Sequence, residues 1–413
     1  MAINLSSSDD KILEYLLSSR AVRQRCGMLF DLGLDGKLNH FSLDMSALPA
    51  CADEVEKVIR RNYPTLEIPF HSRWRHFGVG GIDRTNLLNN QLASIDEDER
   101  SRIYFDLAIV SVLLDAGAGP KWSYNEPGTS RSYNRSEGLA VASFHMFRQG
   151  LFSSNPQKLE VSGEKLARIS EAELAEGMQV NSSNPLEGLA GRVKLLNELG
   201  RTILSQPGYF GEPGRLGRFY DYLISRSESG GLSASTVLES VLRALGPIWP
   251  GREKFHGVNL GDVWRHSLIK TDDETSGLIP FHKLSQWLSY SLLEPLIWRG
   301  CRITNIDEMT GLAEYRNGGL FIDAKVIIAK SGDTLTKAHS PSSELIVEWR
   351  ALTVALLDRI ADLVRKKIGK SKEQFPLARV LEGGTWATGR ELASRLRPGG
   401  VPPLQIISDG TVF

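Results

Sequence analysis

The chain has 413 residues, enough to bury a sizeable core and to form either two lobes or one large domain with an insertion. Lysine plus arginine balance aspartate plus glutamate at 49 each, which leaves no surplus positive charge for a phosphate backbone or an anionic membrane; nucleic acid is a poor default partner. The three cysteines, Cys26, Cys51 and Cys301, are scattered and never in a C-x-x-C pair, which argues against a disulfide framework or a cysteine zinc cluster and for a reducing, cytoplasmic setting.

In chain order, the amino terminus reads Ser6-Ser7-Ser8-Asp9-Asp10 before the first apolar periodicity, without the basic and apolar regions of a secretory signal. His71-Ser72-Arg73-Trp74-Arg75-His76 comes next. If this stretch is extended, the guanidinium groups of Arg73 and Arg75 fall on one side, suited to bidentate capture of a phosphate or carboxylate. His71 and His76 lack the spacing of a metal-binding helix. The most apolar segment, Ile103 to Leu114, is interrupted by Asp106 and is far shorter than the ~20 residues of a membrane-spanning helix, so no membrane insertion is expected. Asp115 closes that helix, where a carboxylate opposes the helix dipole and calls for a partner. Trp122 and Tyr124 beyond it are candidates either to wall a planar ligand or to fill the core.

The polar stretch 153–185 marks a lobe boundary or a surface excursion, giving an N-terminal helical lobe over 1–160 and a mainly helical C-terminal lobe over 161–413. Asn184-Pro185 reads as N-cap and first helical residue ahead of Leu186, Leu189, Val193 and Leu196. Thr236 and Glu239 form a capping box ahead of Leu238, Val241, Leu242 and Leu245, and Gly246-Pro247 stops that helix. Leu284, Trp287, Leu288, Leu292 and Leu296 make another stripe, with Pro295 set to kink or end it. Leu352, Leu356, Ile360 and Leu363 define a further helix that runs to the basic Arg365-Lys366-Lys367 end. Strand signals are fewer: Leu320 to Ile322, Val326 to Ile328, and Leu404 to Ile407 before the turn pair Asp409-Gly410. The expected fold class is mainly α with a few short strands.

Acidic, aromatic and basic residues crowd together between His256 and Asp323, in otherwise apolar sequence; such mixing means a satisfied polar network or a site. Gly318-Gly319 allows a turn or a close backbone approach to a ligand, but no phosphate-loop motif exists in the chain. Glu348 lies on the core-facing stripe of its helix and calls for a partner, with Arg316 and Arg350 as candidates. Gly-x-Ser-x-Gly is absent, which leaves serine nucleophilic catalysis little support. The carboxylates remain, and they suit reactions that pass through a cationic, sugar-like transition state.

At Asp115 to Gly119, Arg135 to Ala140, Pro280 to Trp287, Thr310 to Asp323, Val347 to Thr353, Leu381 to Trp386 and Ser408 to Phe413, the chain resembles the uracil catabolism protein four family. That resemblance implies a pathway running from uracil through a ribosylated intermediate to ring opening and release of urea. More distantly, Asp262, Phe281-His282-Lys283, Glu314-Tyr315-Arg316 and Val347 to Arg350 fall in the order seen in the queuosine salvage glycosidases, which resemble helix-hairpin-helix DNA glycosylases and cleave a ribosyl N-glycosidic bond. Glu314 stands where that family has aspartate, and Leu260 where it has an aromatic residue.

The resemblance therefore implies an N-glycosidase hydrolysing ribosylurea or its 5-phosphate, with no cofactor and no metal. Asp262 and Glu314 would be catalytic, and Tyr315, Arg316, Asp323 and His282 would build the pocket. Trp264 or Trp122 would wall it, and Arg73 or Arg75 would hold a phosphate. The alternatives are a metal-dependent amidohydrolase of the opened pyrimidine using His256, His266 and His282, and a non-catalytic partner of the ring-opening enzyme; association with other uracil-catabolism enzymes belongs to the same expectation.

Overall fold

This computed structural model describes residues 7–249 and 252–407. In chain order the longer helices are α1 (Ser7–Leu16), α2 (Ser19–Leu34), α3 (Leu48–Asn62), α4 (Glu97–Leu113), α5 (Arg135–Arg148), α6 (Leu189–Ser205), α7 (Ala234–Leu245), α8 (Lys283–Trp298), α9 (Tyr315–Asp323), α10 (Glu344–Ile368) and α11 (Trp386–Leu396). The three-residue strands are β1 (Phe41–Leu43), β2 (Val263–Arg265), β3 (Leu278–Pro280) and β4 (Ile327–Ala329), and no described strand is longer. The protein is thus mainly helical, and among the described residues no helix is long and apolar enough to cross a membrane.

The chain forms two compact units, each assembled from separated stretches: 7–71, 252–286 and 305–407 in the first, 72–249 and 287–304 in the second. The polar stretch 153–185 lies within the second unit.

In the first unit α10 is the organising element. Ser343 caps it by accepting from the Ile346 N–H, Arg365, Lys366 and Lys367 complement the dipole in its last turn, and Gly369 ends it in the left-handed conformation at φ +68°. Leu352, Leu356 and Ile360 are buried, as the apolar spacing requires, and α2, α3 and α9 pack against the helix. At Gly318 of α9, a Cβ would lie 2.2 Å from the Trp349 ring, and the Trp349 indole N–H donates to the Gly318 carbonyl at 3.2 Å. This glycine therefore serves a close helix crossing rather than a ligand.

Leu320 to Ile322, expected as a strand, are the buried face of α9. The helix wins because Glu314 caps it and it packs between α11 and α10, so tertiary packing overrides the β-rich local composition. The signal at Val326 to Ile328 corresponds to β4, which pairs antiparallel with β1, and Leu404 to Ile407 contains a strand, Gln405–Ile406, parallel to Ala338–His339. The turn pair Asp409-Gly410 and the terminal stretch from Ser408 lie outside the described residues. β2 and β3 pair antiparallel with Val263 opposite Pro280, which places Asp262 immediately before one strand and His282 just past the other.

In the second unit, α4 begins with Asp96 accepting from the Glu99 N–H and carries Glu97, Asp98 and Glu99 in its first turn. Its interrupting Asp106 is fully buried, taking the Arg215 Nε–H at 2.9 Å and the Gly217 N–H at 2.6 Å. Two expected helix starts move. α6 begins at Leu189 after Gly188 at φ +71°, because Asn184 spends its amide on Ser123 and Gln179 instead of on a helix end. α7 has Ser233 as its N-cap, so Thr236 and Glu239 are interior residues, while Leu238, Val241, Leu242 and Leu245 face the core as expected.

Candidate functional site

Asp262 sits in a cradle built by residues of the first unit. From α10, Arg350 presents its guanidinium fork, with Nη1 donating to Oδ1 and Nη2 to Oδ2, both at 2.8 Å. The Trp264 indole N–H, two residues along in β2, donates to Oδ1 at 2.6 Å. The Lys283 backbone N–H, first of α8, donates to Oδ2 at 3.0 Å. The Phe281 N–H meets the Asp262 main-chain carbonyl at 2.9 Å, and the Arg350 guanidinium lies 4.0 Å from the centre of the Phe281 ring. Burial alone would raise the carboxyl's pKa, but Arg350 and the N–H donors outweigh it and hold Asp262 far below the usual carboxylate range. Arg350 is fully buried, while 14% of the Asp262 side-chain surface stays exposed. The result is an ionised carboxylate of fixed orientation, each oxygen accepting two donors, on a side chain that keeps some solvent exposure.

Arg350, one of the two candidate partners of Glu348, pairs with Asp262 instead. Glu348, fully buried, accepts the backbone N–H groups of Asn39, His40 and Phe41 at 2.9–3.1 Å, and His266 Nε2 lies 3.3 Å from its Oε2. These donors hold its carboxyl below its ordinary value in spite of burial. A side chain two residues further along a helix points about 200° around it, so Glu348 and Arg350 serve different neighbours. Arg316, the other candidate, donates to the Gly400 carbonyl at 2.8 Å.

The remaining first-unit residues have structural partners of their own. Glu314 is the N-cap of α9, accepting the Arg316 N–H at 2.7 Å and the Asn317 N–H at 2.6 Å. Tyr315 is the first residue of that helix and Asp323 the last; Asp323 takes both nitrogens of the Arg397 fork, at 2.8 and 2.5 Å. Trp264 is buried, with Arg252 5.0 Å from its ring centre. His256, His266 and His282 face Glu274, Glu348 and the Leu16 carbonyl respectively. Among the described residues, no group of three or more histidine, cysteine, aspartate or glutamate side chains is placed to hold a metal ion.

Arg73, Arg75 and Trp122 belong to the second unit. Arg73 to His76 form a helical turn, not an extended stretch, so the two guanidinium groups separate. Arg73 is fully buried: its Nε–H donates to Ser111 Oγ at 2.6 Å, Nη1 lies 3.3 Å from Asp115, and Nη1–H also reaches His76 Nδ1 at 3.2 Å. Ser136 Oγ donates to the other Asp115 oxygen at 2.7 Å. This supplies the partner that Asp115 needs at the end of α4; sequence spacing weighs His76 only as a metal ligand and gives no sign of Ser136 as a partner, since nothing in it connects either to Asp115. Arg75 pairs with Glu294 at 2.5 Å. Trp122 is buried, its indole N–H donating to the Met178 carbonyl at 3.0 Å, so it serves the core.

Comparison with known proteins places the chain. The family model described as a protein of unknown function, DUF1688, matches residues 15–413. Uracil catabolism protein 4 of Lachancea kluyveri is 40% identical over a 443-residue alignment that covers 98% of this chain and 99% of the relative. Protein urg3 of Schizosaccharomyces pombe is 40% identical over 407 residues, covering 96% of this chain and 98% of that protein. With the match running nearly end to end, through the Asp262 cradle and α10 alike, the chain belongs to the family of uracil catabolism protein 4 and urg3.

Proposed function

We propose that this protein serves uracil catabolism, as the name of its L. kluyveri relative says of that protein, and that it does so as an N-glycosidase releasing urea from ribosylurea or its 5-phosphate. The observation that carries the reading is Asp262: a carboxylate held in its ionised form by Arg350, Trp264 and the start of α8, on a side chain that is not fully enclosed. Cleavage of the C1–N bond sends its electron pair to the urea nitrogen, which gains a proton, and leaves a cationic sugar; water adds to C1 and loses a proton, giving ribose and urea. A preorganised anion facing C1 stabilises that cation selectively, because the charge develops only in the transition state.

The strong depression of the Asp262 pKa sharpens its role. A carboxylate so weakly basic is a poor proton acceptor, so it acts as the charge stabiliser. Each Glu314 oxygen spends one acceptor site on the α9 N–H groups and keeps lone pairs for ribose hydroxyls. In the same reading Tyr315 and Arg316 line the sugar side, Asp323 braces α9 through Arg397, and the helical frame is kin to the helix-hairpin-helix glycosylases. Arg73 and Arg75 already face Asp115 and Glu294, which makes the unphosphorylated compound the first substrate to try.

The test is to incubate purified protein with ribosylurea and with its 5-phosphate and to assay urea, beside Asp262→Asn. Release by the wild type and a loss of about 10²-fold or more in the variant are expected. An Asp262→Asn, Arg350→Gln variant, which removes both charges together, guards against a fold defect from an unpaired guanidinium. No urea from either compound, or full activity in Asp262→Asn, rejects the reading.

A further inference from the structure

His282 occupies the turn between β3 and α8 with φ +50°, the left-handed region that a side-chain-bearing residue enters at a cost. The turn is needed, since it lets the Phe281 and Lys283 N–H groups both reach Asp262, one at its carbonyl and one at its carboxylate. Glycine or asparagine would make the same turn more cheaply, so the imidazole is there for what its ring does. One nitrogen is spent on an anchor: Nε2 lies 2.8 Å from the Leu16 carbonyl. A carbonyl only accepts, so Nε2 carries the proton and Nδ1 presents a lone pair. That lone pair is buried and has no hydrogen-bond partner among the described residues, in a side chain only 1% exposed. A buried acceptor without a donor is a rarity that points to a missing group.

We propose that His282 Nδ1 accepts an N–H of the bound compound, reading a neutral amide or ureido group beside Asp262; this rests on the N-glycosidase reading above. The imidazole is then a positioning and specificity residue for the departing urea, holding its nitrogen while the C1–N bond lengthens, and it is not the acid that delivers the proton. Burial, the largest influence on the ring, favours its neutral form, in agreement with an acceptor role. The charged groups near the ring are Asp262, which favours protonation, and Arg350, which opposes it. An alkylated or oxygen-linked leaving group would leave the lone pair unanswered, so the site discriminates for N–H against its isosteres, as buried hydrogen-bonding sites do.

The experiment separates anchor from acceptor. His282→Gln reaches the Leu16 carbonyl with an amide N–H and loses the Nδ1 acceptor; His282→Asn tolerates the left-handed turn and keeps an acceptor near Nδ1, while losing the anchor. The primary readout is the imidazole ¹⁵N spectrum of the histidine-labelled protein, with the His282 signal identified by its absence in either variant. Millimolar urea should move the His282 Nδ1 resonance, and tetramethylurea, which has no N–H, should not. In steady-state assays His282→Gln should raise KM for ribosylurea about tenfold with a smaller change in kcat, and His282→Asn should recover part of that loss. An Nδ1 resonance indifferent to urea overturns the proposal and marks a histidine satisfied by internal water alone. If urea moves the resonance but no urea is released from ribosylurea, the acceptor role stands and the glycosidase reading falls; release without the shift does the reverse.

Discussion

Glu348 on α10 and Asp262 paired to α10 through Arg350 are both carboxylates of the first unit, and both are kept ionised by the donors around them. They differ in how far the side chain is enclosed. Glu348 is fully enclosed, its oxygens taken by three successive backbone N–H groups and approached by His266, so its charge is consumed in fastening residues 39–41 to the helix. Asp262 is gripped as firmly, with two donors from Arg350, Trp264 and Lys283 on each oxygen, yet its side chain is not fully enclosed. An anion enclosed on every side stabilises a fold. An anion held as firmly but not fully enclosed has an electrostatic field that a ligand can use.

The comparison breaks first at Glu348. Glu348→Ala strands three buried N–H groups and His266, and is expected to cost about 3–5 kcal/mol of stability, visible as a lowered denaturation midpoint in urea or guanidinium. Any activity of the variant, corrected for the folded fraction, should match the wild type. A variant that stays as stable as the parent but loses activity would reverse the roles assigned to the two carboxylates.

The next largest effect lies at Glu314, where capping and the proposed sugar contact coincide. Glu314→Ala should destabilise by about 1 kcal/mol through loss of the N-cap of α9. Glu314→Asp shortens the arm but leaves an oxygen able to reach the Arg316 and Asn317 N–H groups, so stability should recover. If activity recovers with it, Glu314 acts through the helix; if stability returns and activity does not, the longer arm touches substrate.

Most of the helical frame was legible in the sequence because it rests on local rules: the stripe of α10 with its basic end, and the apolar run of α4 after an acidic first turn. Illegible features were those decided by partners distant in the chain. Leu320 to Ile322 look like a strand until α10 and α11 are there to pack against them as a helix. The Asn184-Pro185 pair has the chemistry of a helix start, but the amide is claimed by Ser123, 61 residues away. Asp262 was singled out by order along the chain, whereas its pairing with Arg350 spans 88 residues and no periodicity encodes it. The same holds for Asp115, whose need for a partner follows from its place at a helix end, though the identity of Arg73 and Ser136 does not.

The smallest predicted effect concerns pH and sets His282 against Asp262. With its folded pKa below the ordinary histidine value, His282 stays neutral in the native state while the unfolded chain takes up a proton below about pH 6.5. In that window the unfolded state binds more protons, so stability should fall as the pH is lowered. Asp262 contributes nothing there: its pKa is depressed, so its share of stability is complete above about pH 4 and is lost only in stronger acid. The two groups are therefore separable on one axis. His282→Gln should flatten the stability profile between about pH 5 and 6.5 while leaving the acid limb unchanged, as followed by chemical denaturation across that range. Parallel profiles for variant and wild type would mean that the imidazole takes up its proton as readily folded as unfolded. That would remove the reason for treating Nδ1 as a standing acceptor beside the Asp262 carboxylate.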